Sequence, residues 1–259
     1  MLTSPANPLL KDLRRAIARG GLTDQGYLVA ETFHLLDEAL RSNLEVKVAL
    51  VAESALAAVR DRLGRSSRIR LIVVEDAVFR KAADTESSQG VITLAAPPSW
   101  TPDQALCGPG PALVLNGVQD PGNAGAMVRA AEAFGASGVL FVKGTVSPFN
   151  PKTLRAAAGS LFRVPFIQGL EVEEARAALD QRGIPVYVTL ARGGAAPADA
   201  DLARKCALVI GSEAHGVSEP LRRGGAGLTI PTAGVESLNA AAAAGIVLYE
   251  AQRQRTTAS

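Results

Sequence analysis

LVIGSEAHGVSEPL (residues 208–221) and LTIPTAGVESLNAAAAAGIVLYE (residues 228–250) decide how this chain is read. Each begins as a short apolar strand, breaks into small and polar residues, and runs into a helix. The second helix is almost wholly Ala, Gly and aliphatic, which predicts burial on most of its sides. Polar residues gather at the strand-to-helix turns: Ser212, Glu213, His215, Glu236, Ser237 and Asn239. Open α/β sheets bind ligands at that edge. A third turn of the same kind lies upstream in NGVQDPGNAGAMVRAAEAFG (residues 116–135). Three such turns in one sheet predict a site.

Working outward, strands are expected at 112–115, 139–142, 164–167 and 185–190, with helices at 124–134, 151–162 and 172–181. That order predicts an α/β fold with a mostly parallel sheet and helices on both faces. Upstream, a helix is expected within 4–19, with Leu9, Leu10, Leu13 and Ile17 on one face. Strands near 27–29, 46–51, 69–74 and 91–95 alternate with helices through Phe33, Leu36 and Leu40, over 54–63, and around Phe79. The prolines at 97, 98, 102, 109 and 111 predict a linker. The expected domains are therefore residues 1–96, a linker over 97–111, and residues 112–259.

The chain is long enough for two modest domains. No apolar run approaches the ~20 residues of a membrane span. The opening MLTSPANPLLKDLRR lacks a signal-peptide apolar core, which predicts a cytoplasmic protein. Cys107 and Cys206 stand far apart and read as reduced core thiols; with two His besides, no metal site is expected. A net charge of +2 does not by itself announce a nucleic-acid partner. Locally, Arg60, Arg62, Arg65, Arg68 and Arg70 crowd around a single Asp61, and arginine suits bidentate phosphate contacts. A solvated helix end reads equally well there.

At the first turn, glycines admit a ligand close to backbone, Asn123 is placed to cap the helix, and Arg129 follows six residues on. The plainer reading is a capped helix with a solvent-facing arginine. The spacing is not G-x-G-x-x-G, so a nicotinamide site is not indicated. At the second turn, Glu213 is suited to pairing, ligand binding or proton acceptance, or simply to a helix N-terminus. Gly216 is expected at positive φ, and Ser218 as a cap. His215, between Ala214 and Gly216, reads as an exposed turn residue rather than a base. At the third turn, Ser237 and Asn239 either cap the Ala-rich helix or face a ligand while Leu238 enters the core.

DPGNAGAMVRAAEAFGA (residues 120–136), IGSEAHGVS (residues 210–218) and IPTAGVESLNAAAAAGIVLYE (residues 230–250) resemble the three motifs of the SpoU (TrmH-like) branch of the SPOUT RNA methyltransferases. NPKTLRAAAGSLFRVP (residues 150–165) resembles the same family. YLVAETFHLLDEAL (residues 27–40) and FRKAADTESSQGVITL (residues 79–94) are similar to its small ribosomal-protein-like substrate-binding domain. The resemblance covers almost the whole chain. It implies S-adenosylmethionine-dependent methylation of a ribose 2′-hydroxyl in RNA, most plainly ribosomal RNA. A deep C-terminal trefoil knot and a homodimer formed through the C-terminal domain are implied with it. Carried over, Arg129 stands beside the target ribose, with Asn123 and Glu213 holding it and the loops. Ser237 and Asn239 complete the catalytic set. The cofactor-binding positions are Thr189, Leu190, Ala191, Gly211, Ser212, Glu213, Ile230, Pro231, Ser237 and Leu238.

Three departures stand out. Ala240, Ala241 and Ala242 follow Asn239 where the family carries a second hydroxyl; Ser212 replaces an amide common in the family; and Thr32 replaces a common Gly. Alternatives are transfer RNA as substrate, a base rather than a ribose as acceptor, and an RNA-binding protein that has lost activity.

Overall fold

The structure is a computed structural model and describes residues 1–64, 68–83 and 89–258. Arg65 of the arginine cluster, and residues 84–88 of the stretch quoted above, lie outside the described residues. Two compact units form: Met1–Ser99 with Ser147–Arg163, and Trp100–Val146 with Val164–Ser259.

In the first unit the chain runs α1 (Pro8–Arg19), β1 (Leu28–Glu31), α2 (Phe33–Arg41), β2 (Val46–Ala52), α3 (Leu56–Leu63), β3 (Arg70–Val74), α4 (Asp76–Arg80) and β4 (Val91–Ala95). The sheet order is β1-β4-β2-β3. β4 is antiparallel to both neighbours, whereas β2 and β3 are parallel. Alternation along β2 sorts the core. Val48, Leu50 and Ala52 join Leu10, Leu13 and Phe79 in one cluster, and Ala49 and Val51 join Leu36 and Val59 in another.

The sequence placed residues 147–163 in the second domain, but they group with the first unit. There α7 (Pro151–Ala157) packs on β1, Arg155 lies 3.6 Å from the buried Glu31, and Arg163 bonds Glu38 at 2.5 Å. The Arg163 guanidinium holds the Glu38 carboxyl below the usual carboxylate range. The helix expected over 151–162 breaks at Ala158 and Gly159, both at positive φ (49° and 91°). A Cβ on Gly159 would lie 2.7 Å from the Glu38 side chain.

The second unit opens inside the expected linker. Thr101 and Gln104 form a capping box that starts α5 (Pro102–Leu106), and Ala105 and Leu106 are buried. Residues 97–111 are thus partly a packed helix, because this stretch carries a helix start and two apolar residues among its prolines. Cys107, expected in the core, is exposed beyond that helix. Cys206 is buried, and burial pushes its thiol up to about 12.

There follow β5 (Ala112–Asn116), α6 (Pro121–Ala133), β6 (Gly138–Val142), β7 (Phe166–Leu170), α8 (Val172–Asp180), β8 (Val186–Thr189), β9 (Ala207–Gly211), α9 (Glu219–Arg222), β10 (Ala226–Leu228) and α10 (Ala240–Ala258). The six-stranded sheet has the order β10-β8-β9-β5-β6-β7, and its strand pairs are parallel. Val114, Leu140, Val188 and Val209 pack with Leu179 of α8 and Leu221 of α9. α10 packs on α6 and β9. It is buried along Ala244, Val247, Leu248 and Ala251, but Ile246 and Tyr249 are 40% and 53% exposed, so burial on most sides does not hold within one chain.

Thr32 adopts φ 112° and ψ 151°, a region open essentially to glycine alone, while its hydroxyl accepts the Leu35 N–H at 3.2 Å. Relief of that strain outweighs the lost cap and the freer unfolded chain. Thr32→Gly is expected to raise the unfolding free energy by about 1 kcal/mol, read by urea denaturation. At the other end of the chain, Arg253 and Gln254 donate to Glu250 and hold its carboxyl at about 2. A carboxyl pKa lowered on folding stabilises above its ordinary value of 4.5, and that contribution fades as pH falls toward 2. Carboxyl NMR titration is expected to show Glu250 moving near pH 2, and Arg253→Ala to move it upward.

Candidate active site

Because the strands are parallel, the loops after β5, β8, β9 and β10 open on one edge of the sheet. The first begins at Asn116 and turns at Gly117 (φ +76°), whose N–H donates to Thr145 Oγ1 at 3.0 Å. Thr145 donates in turn to the Leu115 carbonyl at 2.8 Å. α6 is capped by Asp120, not by Asn123: Asp120 Oδ1 accepts the Asn123 N–H at 2.7 Å, and Pro121 occupies the first helical position. With the cap supplied by Asp120, the Asn123 side chain is available to reach outward.

It reaches two other loops. Asn123 Nδ2 donates to Glu213 Oε1 at 2.7 Å, and Asn123 Oδ1 accepts from Asn239 Nδ2 at 3.0 Å. Asn239 Oδ1 caps α10 by accepting the Ala241 and Ala242 N–H groups at 3.0 and 3.2 Å. Polarity is set at both ends. The helix offers only donors and an ionised carboxylate only accepts, so each amide between them has a single workable orientation. Of the two caps expected for α10, only Asn239 is bonded in that way.

Arg129 is exposed on α6, and among the described residues no hydrogen bond or ion pair joins it to Asn123 or Glu213. The expectation that those two residues hold the arginine is corrected: their bonds run to each other and to Asn239. His215 is an exposed turn residue, as expected, and its N–H donates to Ser212 Oγ at 3.0 Å. Gly216 takes φ +66°, also as expected. Ser218 stands at the cap position of α9, but its buried hydroxyl makes no hydrogen bond among the described residues.

Beside this network lies a cavity of about 280 Å³. Thr189, Leu190, Ala191, Gly211, Ser212, Glu213, Ile230, Ser237 and Leu238 line it; Pro231 does not. Its walls depend on missing side chains. A Cβ on Gly211 would sit 2.2 Å from the Gly216 carbonyl carbon. Hydrogen bonds lock the walls further. Ser212 and Gly216 exchange backbone bonds at 3.2 and 2.9 Å, Thr189 Oγ1 donates to Val209 O at 3.0 Å, and Thr229 Oγ1 accepts the Gly194 N–H at 2.9 Å.

Leu190, Ile210, Leu228, Ile230 and Leu238 give the cavity apolar surface for a flat ring, and Glu213 and Glu236 bring carboxylates that suit a cationic ligand. Gly211, Ala191, Ala240 and Ala243 let such a ligand approach backbone closely. A cofactor that joins a purine to a positive charge fits that donor set.

Ile210, Thr232 and Glu236 line the cavity but were absent from the expected cofactor set. Glu236 had a signal, since it is charged and lies in a strand-to-helix turn. Arg192, which pairs with it at 3.0 Å, had none. Among the described residues no group of His, Cys, Asp and Glu is arranged to hold a metal ion.

Comparison with known proteins agrees across both units. The SpoU rRNA Methylase family profile matches residues 110–249, and that of the MRM3-like substrate binding domain matches residues 7–93. An uncharacterized tRNA/rRNA methyltransferase of Synechocystis is 35% identical, covering 100% of this chain and 95% of the relative. The 23S rRNA (guanosine(2553)-2′-O)-methyltransferase RlmP of Bacillus subtilis is 31% identical over 96% of this chain and 97% of its own. Among solved structures, an AdoMet-bound rRNA methyltransferase from Sinorhizobium meliloti is 29% identical with a TM-score of 0.82, covering 97% of each chain.

Asn123→Ala removes one donor and one acceptor from the network and is expected to lower stability by about 2 kcal/mol in urea melts. Asn123→Asp keeps the acceptor for Asn239 but sets a second carboxylate against Glu213. It should cost more than alanine in the same melts.

Proposed function

The chain belongs to the SpoU rRNA methylase family, and we propose from that premise that it methylates a ribose 2′-hydroxyl of ribosomal RNA with S-adenosylmethionine as donor. The observation that carries this reading is the cavity walled by the loops after β8, β9 and β10, beside the Glu213–Asn123–Asn239 network. S-adenosylmethionine, when bound, supplies a methyl group on a sulfonium, open to displacement by an oxygen nucleophile. Thr189, Leu190, Ala191, Gly211, Ser212, Ile230 and Leu238 would hold it, with Glu213 and Ser237 at the catalytic side.

Orientation contributes much of the rate in such a transfer, and rigid loops serve that end. The chain of bonds through Asn123 fixes three loops whose residues come from distant parts of the sequence. Arg129 binds the phosphate next to the target ribose and stabilises the developing alkoxide. Guanidinium stays charged in proteins, so Arg129 is not the base. The proton leaves to a phosphate oxygen, to Glu213 or to water.

The first unit selects the RNA, with Arg60, Arg62, Arg68 and Arg70 as phosphate contacts. The enzyme is a homodimer joined through the C-terminal domain, supported by Ile246 and Tyr249 exposed on α10. Residues 208–250 thread an earlier loop as a trefoil knot, supported by the placement of β9 between β8 and β5. It works in the cytoplasm; no helix among the described residues is long and apolar enough to cross a membrane.

Ribose-methylation mapping of total RNA tests the reading. Cells lacking the gene should lose one 2′-O-methyl site in ribosomal RNA. Wild type should restore it, and Arg129→Ala should not. Loss of a transfer-RNA site would move the substrate, and loss of a base methyl would refute ribose chemistry. Arg129→Lys is expected to lower the single-turnover rate at least tenfold, since a point charge does not replace a bidentate fork.

A further inference from the structure

Asn116 is polar, only 6% exposed, and outside every role assigned above. It ends β5 opposite Gly211 of β9, and its Oδ1 accepts the Ser218 N–H at 2.7 Å. The loop between those two contacts, residues 212–217, leaves β9 beside Asn116 and returns to the Asn116 side chain. Within it the Ser212–Gly216 backbone pair and the His215 to Ser212 bond close a tight ring. Gly211, Ser212, Glu213 and Gly216 from this segment all face the cavity.

We propose that Asn116 is a positioning residue for methyl-donor binding: its carboxamide closes the loop at residues 212–217 and thereby places Glu213 against Asn123. The inference rests on the reading that this cavity takes S-adenosylmethionine. The Ser218 N–H bond to Asn116 anchors the far end of the loop. Among the described residues the buried Ser218 hydroxyl has no partner and α9 has no side-chain cap. Without Asn116 the part-buried Ser218 N–H loses its bond as well, and the loop opens to solvate it. At the near end, Thr145 holds the neighbouring Gly117 N–H, so β5 itself stays in place when Asn116 changes. The effect is therefore directed at the loop.

Calorimetry with S-adenosylmethionine on the full chain tests this. Wild type must bind first; no binding by the folded wild type refutes the assignment of the cavity rather than the role of Asn116. Asn116→Ala should weaken binding at least tenfold, whereas Asn116→Asp, which keeps the acceptor for Ser218, should stay within about threefold. In combination with Asn123→Ala, Asn116→Ala should add less than its separate effect, because both act on Glu213. Equal binding by Asn116→Ala, equal loss in Asn116→Asp, or fully multiplicative effects would each overturn the proposal. Amide exchange on wild type supplies a measurement that no folding defect can confound. The Ser218 amide should be the slowest of residues 212–218 and slow further with S-adenosylmethionine; exchange at the rate of the Ala214 amide would overturn the proposal equally.

Discussion

One directional run of hydrogen bonds sets the geometry of this site. It starts at the free N–H groups of α10, passes through Asn239 and Asn123, and ends on the Glu213 carboxylate. Each member has one orientation that satisfies its neighbours, so the three loops are registered by polarity as well as by distance. Asp120 makes this possible by taking over the cap of α6, which leaves Asn123 at the helix start with an unused side chain. A helix end that needed its own asparagine for capping would have nothing left to join the loops.

The second constraint is steric. The cavity wall closes where side chains are missing, at Gly211 against Gly216. This close approach puts backbone atoms in the walls, and apolar residues at the strand ends complete them. Glycine at these positions carries an entropic cost that the surrounding hydrogen bonds offset. The first unit shows the opposite case at Thr32, where a β-branched residue sits in glycine's region and gains a helix cap in exchange for strain.

Much of this was legible in the sequence because it rests on local patterns. Apolar runs closed by Gly, Asn and Ser gave the strands, the turns and most of the cavity lining. The misses have two origins, one local and one long-range. Asn123 looks like a cap until Asp120, three residues earlier and just before a proline, is weighed against it. Residues 97–111 look like a linker because prolines mask Thr101 and Gln104, which open a helix. Residues 147–163 follow a strand of the second unit, so nothing in their order reveals that Glu31 and Glu38 draw their arginines into the first. Asn116 is a single polar residue at the end of ALVLN, and its partner lies a hundred residues away, beyond any local pattern.

The distance between the joined residues governs when the site comes into being. Asn123 waits for Glu213 and then for Asn239, which lies 116 residues further along the chain. While the polypeptide is being synthesised, β5, α6 and β9 emerge in turn, and the link to Asn239 is the last to form. Such long-range pairing forms slowly and late. The three loops are therefore registered only once β9 and α10 are both in place, so the site is a product of the completed fold and of no smaller piece of it.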